Sequence, residues 1–576
     1  MRKLLMLATF FVATCMAVHV SAQGWVWATG TSNISSDSSF IESGDIAVDK
    51  SGNVYEIGYG QAGTIGTRDT LNSFGPFIVV DTENQGYQSV LVSTDSNGVY
   101  RWVLATQHAQ VSFSHMSIDP YGNIYILGHT QGSFTFGNLA FTFTMSFSTF
   151  EYFCAKVNSA GQVLWIKDMA PGALIQSGLA INSSGHLYMV GTFDADMTLG
   201  ATTLTHEDSA GYTLFYAKFD SSGLPLWAKK SSGKAYVSLL NQWAFTHSIA
   251  VADDSTFYIA GNCTATTSEK MIIGTDTITA HDTPTYFVAR FNATGVPLWT
   301  KQANYIKGSN LVDRLNSITV DANDNVYLAG GHRQQFTFGS DTLQACASTL
   351  RSAMFVTKYN SSGSEIWARG FAQPQYATAF SISADHCGNI WVSGGKSEGL
   401  VNDSLFLLQF DTTGTKINSM WLTGGGDDMS NIAFDYKGNM FLGGDFYVST
   451  VNFGNDTITK TPKQLESLFI AKYRYDYPGC VPDHSAGTSI IENPVSPTIS
   501  LYPNPASAAF TIHSDAPLNV AAHAEIYDMT GRMVIAYPLN EETTEVPLEN
   551  IATGIYQCSI INNGLSFVTK KLVVIK

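Results

Sequence analysis

Short runs of alternating apolar and polar residues recur along most of the first 476 residues. Residues 317–369 contain four such runs, each rich in β-branched and aromatic residues and bounded by Gly, Asn, Asp or Ser. Runs of this composition and length are typical of antiparallel strands joined by tight turns. The pattern therefore predicts a repeated unit of four strands, with relatives on both sides of this stretch.

Each repeat has three markers, which fix the positions of its strands. A turn of the form Asp-x-x-Gly-Asn precedes the second strand, and its late Gly or Asn suits the left-handed backbone of a hairpin. The turns begin at Asp49, Asp119, Asn182, Ala252, Asp321, Asp385 and Asp435. The third strands carry Lys156, Lys218, Arg290, Lys358 and Lys472, with Ser93 and Gln409 in the other two repeats. The fourth strands present Trp102, Trp165, Trp227, Trp299, Trp367 and, out of register, Trp421.

The marker count predicts how the repeats close. There are seven second strands and seven third strands, but no tryptophan strand follows the seventh third strand at residues 469–473. Residues 25–28, at the start of the mature chain, have the missing pattern. Residues 23–476 are therefore predicted to form an all-β, seven-bladed β-propeller that the N-terminal strand closes, because closure removes exposed sheet edges. The repeats resemble the bacterial β-propeller repeat family, which implies a fold more than an activity.

A smaller motif lies between the second and third strands of some repeats. It has the form apolar-Gly-x-Asp-Thr-apolar and includes Gly274, Gly339 and Gly454. We interpret it as a small outer hairpin.

The first strands supply the candidate binding residues. Counted back from the turn, the residues at positions one and three are mostly large and apolar, and those at two and four are small or polar. Alternation places the two sets on opposite sides of a strand, so the small set is expected to face the channel and the apolar set to pack between blades. Asp45, His115 and Asn431 then lie near one channel mouth, together with Asp427 and Asp428. These groups suit a cation, a sugar hydroxyl or acid–base work, although a polar lining of water-satisfied groups is expected in such a channel anyway.

Other chemistry is weakly indicated. Asp321, Asn323 and Asn325 resemble half a calcium loop, but the distal glutamate is missing and a turn is required there. The repeated lysine is interpreted as a surface or inter-blade residue. Cys154, Cys263, Cys346, Cys387, Cys480 and Cys558 are scattered, so their pairing stays open and no metal site is predicted. No catalytic motif is recognised, and no cofactor is assigned.

Composition and the first residues bear on location. The net charge is −16 and no basic stripe is visible, which argues against a nucleic-acid partner. Residues 1–22 read as a secretory signal peptide, with Arg2 and Lys3 before an apolar run and a predicted cut after Ala22. No other stretch is long enough for a transmembrane helix.

The C-terminal part has a different pattern. Residues 477–498 are rich in proline and are predicted to be a linker. Residues 499–576 contain about seven short strands, which predicts a small Ig-like β-sandwich. The motif residues are Tyr502, Pro503, Asn504, Pro505, Gly531, Gly554, Tyr556, Lys570 and Lys571. They closely resemble the type A C-terminal sorting domain of type IX secretion. That resemblance implies a Bacteroidota source, periplasmic transit, the type IX machinery as partner, and release from or display on the outer-membrane surface.

The leading functional hypothesis is a secreted or surface-displayed propeller that binds glycan or protein through one face. An extracellular hydrolase or lyase that uses the channel-mouth residues is the alternative, and a structural surface component is a third. Whether the protein is an enzyme stays open at this point.

Overall fold

A computed structural model describes most of the chain. The described ranges are 24–31, 40–61, 70–80, 87–144, 150–169, 174–206, 212–233, 236–238, 248–264, 270–279, 285–302, 304–305, 314–332, 335–338, 340–344, 353–371, 376–397, 404–423, 430–460, 465–475, 499–514, 522–528, 533–539, 543–549, 551–562 and 565–576. The chain divides into two compact units, residues 1–488 and 489–576. In these ranges every helix or strand element is a β-strand, which confirms the all-β prediction. The predicted signal peptide and linker lie outside the described residues.

The first half of the N-terminal unit contains 21 strands. They are β1 (Gly24–Gly30), β2 (Phe40–Val48), β3 (Val54–Gln61), β4 (Thr70–Phe74), β5 (Phe77–Val80), β6 (Tyr87–Thr94), β7 (Tyr100–Gln107), β8 (Val111–Ile118), β9 (Ile124–Thr130), β10 (Phe134–Phe136), β11 (Leu139–Phe141), β12 (Glu151–Val157), β13 (Val163–Asp168), β14 (Leu174–Ile181), β15 (Leu187–Phe193), β16 (Met197–Leu199), β17 (Thr202–Leu204), β18 (Thr213–Phe219), β19 (Pro225–Lys230), β20 (Ser232–Gly233) and β21 (Tyr236–Ser238) in the described ranges.

The second half contains the next 22 strands. They are β22 (Ile249–Val251), β23 (Thr256–Thr264), β24 (Lys270–Ile273), β25 (Asp276–Thr279), β26 (Thr285–Asn292), β27 (Pro297–Gln302), β28 (Asn304–Tyr305), β29 (Arg314–Val320), β30 (Val326–His332), β31 (Phe336–Phe338), β32 (Asp341–Leu343), β33 (Ala353–Tyr359), β34 (Glu365–Phe371), β35 (Tyr376–Ala384), β36 (Ile390–Ser397), β37 (Ser404–Phe410), β38 (Lys416–Thr423), β39 (Ser430–Phe434), β40 (Met440–Phe446), β41 (Thr450–Phe453), β42 (Asp456–Thr459) and β43 (Ser467–Arg474), again counting only described residues.

Seven antiparallel sheets of this unit have four strand positions each, in the part that the structure describes. They are sheet 1 (β2-β3-β6-β7, which β10 and β11 extend at its β7 edge), sheet 2 (β8-β9-β12-β13), sheet 3 (β14-β15-β18-β19), sheet 4 (β21 and β22, then β23-β26-β27), sheet 5 (β29-β30-β33-β34), sheet 6 (β35-β36-β37-β38) and sheet 7 (β39-β40-β43-β1). The first strand of each sheet contacts the first strand of the next, and β39 of sheet 7 contacts β2 of sheet 1. The contacts between first strands therefore follow a cyclic order.

Sheet 7 combines the two ends of the repeat region. Strand β1 pairs antiparallel with β43, with Trp25 opposite Tyr473, Trp27 opposite Lys472 and Ala28 opposite Ala471. This register confirms the predicted pairing of residues 25–28 with residues 469–473.

The hairpin turns explain the Asp-x-x-Gly-Asn motif. In the first turn, Asp49 accepts hydrogen bonds from the backbone N–H groups of Ser51 and Asn53, and from the side chains of Asn53 and Tyr55. Gly52 has a φ of 80°, in the left-handed region. The buried Asp49 carboxylate thus accepts the backbone donors of the turn, and it orients the first aromatic residue of the second strand.

The two sides of each first strand pack on different sheets. In sheet 1, Ile46 lies with Phe441 and Ile470 of sheet 7, whereas Ala47 packs against the cluster around Met116 of sheet 2. The prediction that the apolar set packs between sheets is confirmed, but the prediction that the small set faces a channel is wrong for such alanines. A neighbouring sheet covers each side, and small side chains allow that close approach.

Small outer hairpins cover the fourth strands, as the Gly-x-Asp-Thr motif predicts. The pairs β24-β25, β31-β32 and β41-β42 contain this motif. The carboxylate of Asp341 accepts the backbone N–H of Ala368 at 2.8 Å, and that of Asp456 accepts the N–H of Ala28 at 3.0 Å. Each bond occupies a donor on a sheet edge, which protects the edge from pairing with another chain.

The C-terminal unit has its own core. Its described strands are β44 (Ile499–Tyr502), β45 (Ala509–Ser514), β46 (His523–Tyr527), β47 (Met533–Pro538), β48 (Thr543–Pro547), β49 (Gly554–Asn562) and β50 (Leu565–Val574). They form the sheets β44-β45-β48 and β47-β46-β49-β50. Phe510, Ile526 and Leu572 are fully buried in one apolar cluster that includes residues of both sheets.

Candidate functional site

Three of the predicted site residues lie on first strands that contact one another. Asp45 is on β2, His115 on β8 and Asn431 on β39, and β2 contacts both of the other strands. All three side chains are buried, with 2–4% of their surface exposed. The structure therefore brings their strands together, as the order of sheets 7, 1 and 2 predicts.

Hydrogen bonds join these side chains to neighbouring sheets. The Asp45 carboxylate accepts the backbone N–H of Ile46 at 2.8 Å and that of Met116 at 2.9 Å. The Asn431 amide donates to the carbonyl of Gly44 at 2.7 Å. The carboxylate and the amide thus hold adjacent first strands in register, which is a structural task in addition to any contact with a ligand.

Asp45 and His115 lie inside their strands rather than at the strand ends. Strand β2 begins at Phe40 and β8 at Val111, and a β-bulge separates the outer part of each strand from the site residue. The alternation pattern does not reveal the bulges, because an extra residue shifts the pairing without a change in composition. Asp427 and Asp428 lie outside the described residues.

The metal-like turn at Asp321 is an ordinary hairpin turn. Its carboxylate accepts the backbone N–H groups of Asn323 and Asn325 at 2.9 Å each, and the hydroxyl of Tyr327 at 2.8 Å. Over the described residues, no group of three or more His, Cys, Asp or Glu side chains is arranged to hold a metal ion.

The repeated lysine and tryptophan meet a turn of the next sheet. The turn between the third and fourth strands of sheet 6 presents the carbonyl of Thr412, which accepts the ammonium of Lys358 and the indole N–H of Trp367 at 3.2 Å each. The glycine of that turn, Gly414, has a φ of 81°, and a Cβ there would lie 2.7 Å from the Trp367 ring. We call this arrangement the Trp–turn contact. It confirms the inter-blade interpretation of the lysine.

The Trp–turn contact recurs between other sheets. Lys472 and Trp27 of sheet 7 both donate to Ser96 of sheet 1, and Arg290 and Trp299 of sheet 4 both donate to Ser361 of sheet 5. Burial lowers the pKa of Lys472, while nearby Asp435 opposes that shift. The carbonyl oxygens of Ser96 and Ser361 therefore accept hydrogen bonds that join neighbouring sheets.

Sheet 1 makes the same contact with a cation from another strand. Ser93 stands where other sheets carry lysine, and Arg101 of the fourth strand donates to its hydroxyl at 3.0 Å. Arg101 also donates to the carbonyl of Ser159 at 3.1 Å, the same oxygen that accepts Trp102. The sequence pattern alone does not show this exchange of position.

The sorting motif fastens the last strand of the C-terminal unit. The Asn504 side chain donates to the carbonyl of Lys571 at 2.7 Å and accepts the backbone N–H of Val573 at 2.8 Å. Tyr556, which Gly554 precedes by two residues, donates its hydroxyl to the carbonyl of Ala552 at 2.9 Å. These bonds give the motif residues a role in the fold itself. Gly531 lies outside the described residues.

Several residues of the motif are exposed. Tyr502, Pro503, Asn504 and Pro505 form one exposed run, and Lys570 and Lys571 lie exposed on β50. The family model for the secretion system C-terminal sorting domain matches residues 500–576. Residues 500–576 are a type IX secretion sorting domain. The sorting domain indicates a secreted or cell-surface protein. Among the described residues, no helix is long and apolar enough to span the bilayer.

The chain also has more distant similarities. An uncharacterised WD repeat-containing protein of Acanthamoeba polyphaga mimivirus is 28% identical over 160 residues, which are 25% of this chain and 11% of that protein. The chain thus spans about a tenth of this curated relative. A Dyadobacter fermentans protein of unknown function is 8% identical with a TM-score of 0.34, and the match covers 64% of this chain and 95% of the other. PorZ of Porphyromonas gingivalis is 10% identical with a TM-score of 0.17, and the match covers 95% and 100%.

Proposed function

We propose that this protein, after export by type IX secretion, acts as a seven-bladed β-propeller that binds glycan or protein through one face. The sorting domain supports the export step. Within this proposal each of sheets 1 to 7 is a blade, and the C-terminal unit is an Ig-like β-sandwich that addresses the chain to the secretion machinery.

The cyclic order of contacts supports the propeller. Seven first strands contact one another in sequence, and the first and last sheets are neighbours. The pairing of β1 with β43 in one sheet links the two ends of the repeat region, as closure of a propeller requires. A linear array would instead leave two terminal sheets with one uncovered side.

The binding proposal rests on a difference between the two ends of the strands, which carry different kinds of chain segment. At the turn end, where the short hairpin turns lie, backbone carbonyls such as those of Ser96, Ser361 and Thr412 are taken up by Trp–turn contacts. At the opposite end, which we call the connection end, the fourth strand of one sheet ends and the first strand of the next begins, as at the end of β34 and the start of β35. Binding residues are found preferentially on loops that a rigid scaffold positions. The connection end is therefore the better candidate face.

Asp427 and Asp428 are the proposed ligand contacts on this face, with Asp45, His115 and Asn431 beneath them. Carboxylates in a row suit sugar hydroxyls, amines or a bridging cation. The Asp45 carboxylate already accepts two backbone N–H groups, so its oxygens are less free to exchange a proton with a substrate. This supports a binding role for the cluster rather than proton transfer. The binding hypothesis is accordingly preferred to the hydrolase or lyase alternative.

A matched pair of double variants tests this proposal. Asp427→Ala/Asp428→Ala removes two adjacent carboxylates at the connection end, and Asp253→Ala/Asp254→Ala removes two at the turn end. The mature full-length chain is applied to a printed glycan array and to an array of extracellular proteins. We expect the first variant to lose at least tenfold in apparent affinity for the strongest hit and the second to retain it. Equal retention by both variants, or loss only in the second, would contradict the proposal.

A further inference from the structure

The seam between sheets 6 and 7 lacks the Trp–turn contact. Gln409 of sheet 6 stands in the lysine position, and the residue opposite it is Asn418 instead of tryptophan. Sheet 7 has no turn between its third and fourth strands, because those strands are β43 and β1. The donors are thus missing at the one seam where the acceptor turn cannot exist.

Aromatic and polar contacts replace it. Trp391 of sheet 6 lies edge-on to Tyr473 and Tyr475, with ring centroids 6.1 and 5.5 Å apart. A ring nitrogen of His386 lies 2.7 Å from the carbonyl oxygen of Asp435, in the first turn of sheet 7. The turn of sheet 6 therefore lies against sheet 7 near the point where the chain leaves β43.

Cys387 is the next residue of this turn, and it is disulfide-bonded. The free cysteines among the described residues are Cys154, Cys263 and Cys558. All three are buried, and burial raises the pKa of each thiol to about 12. The partner of Cys387 is therefore Cys15, Cys346 or Cys480.

Topology separates these three cysteines. Cys15 belongs to the predicted signal peptide, which export removes. Cys346 follows Leu343 by three residues, and Leu343 lies beside Gly370 at the connection end. Three residues reach about 10 Å, whereas a strand of seven residues separates the two ends by about 23 Å. Cys346 therefore cannot reach the turn of Cys387 at the turn end.

Cys480 follows β43, a strand that ends at the turn end. It follows Tyr475 by five residues, and Tyr475 contacts Trp391, four residues after Cys387. Five residues can reach about 17 Å, which is enough for this short separation. We infer that Cys387 forms a disulfide with Cys480, and that this bond fastens the segment after β43 to sheet 6.

The bond forms by oxidation in the compartment that the chain enters during export. The two thiols lose two protons and two electrons, and a thiol oxidoreductase in its disulfide form accepts them and becomes a dithiol. The product joins the segment after β43 to the turn of sheet 6. It stabilises the seam mainly by restricting the unfolded chain over the long loop between residues 387 and 480.

Disulfide mapping of the mature full-length chain tests the pairing. Proteolysis without reductant, with free thiols blocked, should yield one linked peptide pair that contains Cys387 and Cys480. A link from Cys387 to Cys346, or an unlinked Cys387, would overturn the inference.

Urea unfolding of four serine variants tests the effect on the ring. Cys387→Ser and Cys480→Ser should lower the urea midpoint by the same amount, the double variant by no more, and reductant should bring the wild type to that value. Cys346→Ser, the control, should keep the wild-type midpoint and its response to reductant. An unchanged midpoint in Cys480→Ser, or a drop in Cys346→Ser equal to that in Cys387→Ser, would overturn the proposed role.

Discussion

The indole N–H of Trp102 donates a 3.2 Å hydrogen bond to the carbonyl of Ser159, which lies in the turn between the third and fourth strands of the next sheet. Gly161 of that turn faces the same indole, and a Cβ placed there would lie 2.8 Å from the ring. Trp165 follows Gly161 by four residues, but its ring packs against the equivalent turn of the following sheet. The repeated Gly and Trp therefore report contacts between consecutive repeats.

A pair of glycine variants separates this contact from backbone strain. Gly161 and Gly122 have φ values of 81° and 80°, so alanine costs about 1–2 kcal/mol of strain at either position. At Gly122 the nearest atom to an added Cβ is 3.7 Å away, whereas at Gly161 the ring of Trp102 must move, which adds about 1–3 kcal/mol. We expect Gly161→Ala to lower the free energy of unfolding more than Gly122→Ala.

Tryptophan fluorescence in urea measures this difference. All ten tryptophans precede residue 422, so their fluorescence reports the N-terminal unit alone. Equal losses for the two alanine variants would show that the Trp102 contact contributes nothing beyond strain.

In sheet 1, Arg101 takes the place of the lysine that other sheets carry. This predicts that one substitution can compensate for another in a double variant. Arg101→Leu removes three hydrogen bonds to Tyr55, Ser93 and Ser159, which should cost about 1.5–3 kcal/mol. Adding Ser93→Lys restores the arrangement of sheet 2, where Lys156 donates to Ser221 and the bulge residue of the fourth strand is Leu164. We expect the double variant to recover half or more of the loss in urea unfolding.

A thermodynamic cycle with Ser93→Lys alone provides the control. That single variant places lysine beside Arg101 and should be destabilising. Additive effects of the two substitutions would mean that the residues do not replace one another.

Glu56 predicts an unusual pH dependence of stability. Its side chain is 1% exposed and accepts a 2.8 Å hydrogen bond from Ser43, and burial raises its pKa well above the ordinary value of 4.5. Folding therefore favours the neutral carboxyl. Its stabilising contribution is complete below pH 4.5 and is lost as the pH rises towards the raised folded pKa. Glu56→Gln keeps the shape and removes this loss, so it should be more stable than the wild type at neutral pH.

Urea midpoints between pH 4 and 8 check this expectation. The difference between Glu56→Gln and the wild type should grow with pH. Glu365→Gln, at a half-buried position of β34, is the control for removing one carboxylate from the same unit. A difference that stays constant over this range would show that the pKa of Glu56 is the same in the folded and unfolded states.

Much of the strand order is readable from the sequence because the repeat markers carry local requirements. The Asp49 turn needs a carboxylate and a residue that tolerates positive φ, and both are visible in one copy of the motif. The pairing of β1 with β43 follows from a missing strand at one end and a surplus strand at the other. The sorting motif is likewise local, since Asn504 acts on the strand that ends the chain.

The candidate site is less readable, because it depends on bulges and on neighbouring sheets. Composition gives Asp45 a polar position, but only the bulge in β2 decides where its carboxylate points and which backbone it meets. Arg101 escapes a pattern search for a similar reason, since it acts in the place of a residue on another strand. Contacts across repeats are not encoded in the spacing within one repeat.

Cross-linking of the two ends of the repeat region tests the closed ring most directly. Ala28 lies opposite Ala471 in the register of β1 and β43, so the pair Ala28→Cys/Ala471→Cys should oxidise to an intramolecular disulfide, detected as a linked peptide by mass spectrometry. Ala28→Cys/Ile470→Cys, displaced by one residue, places the thiols on opposite sides of the sheet and should not cross-link. A ring closed by the N-terminal strand predicts the link in the first pair only. Absence of that link, or equal linking in both pairs, would contradict it.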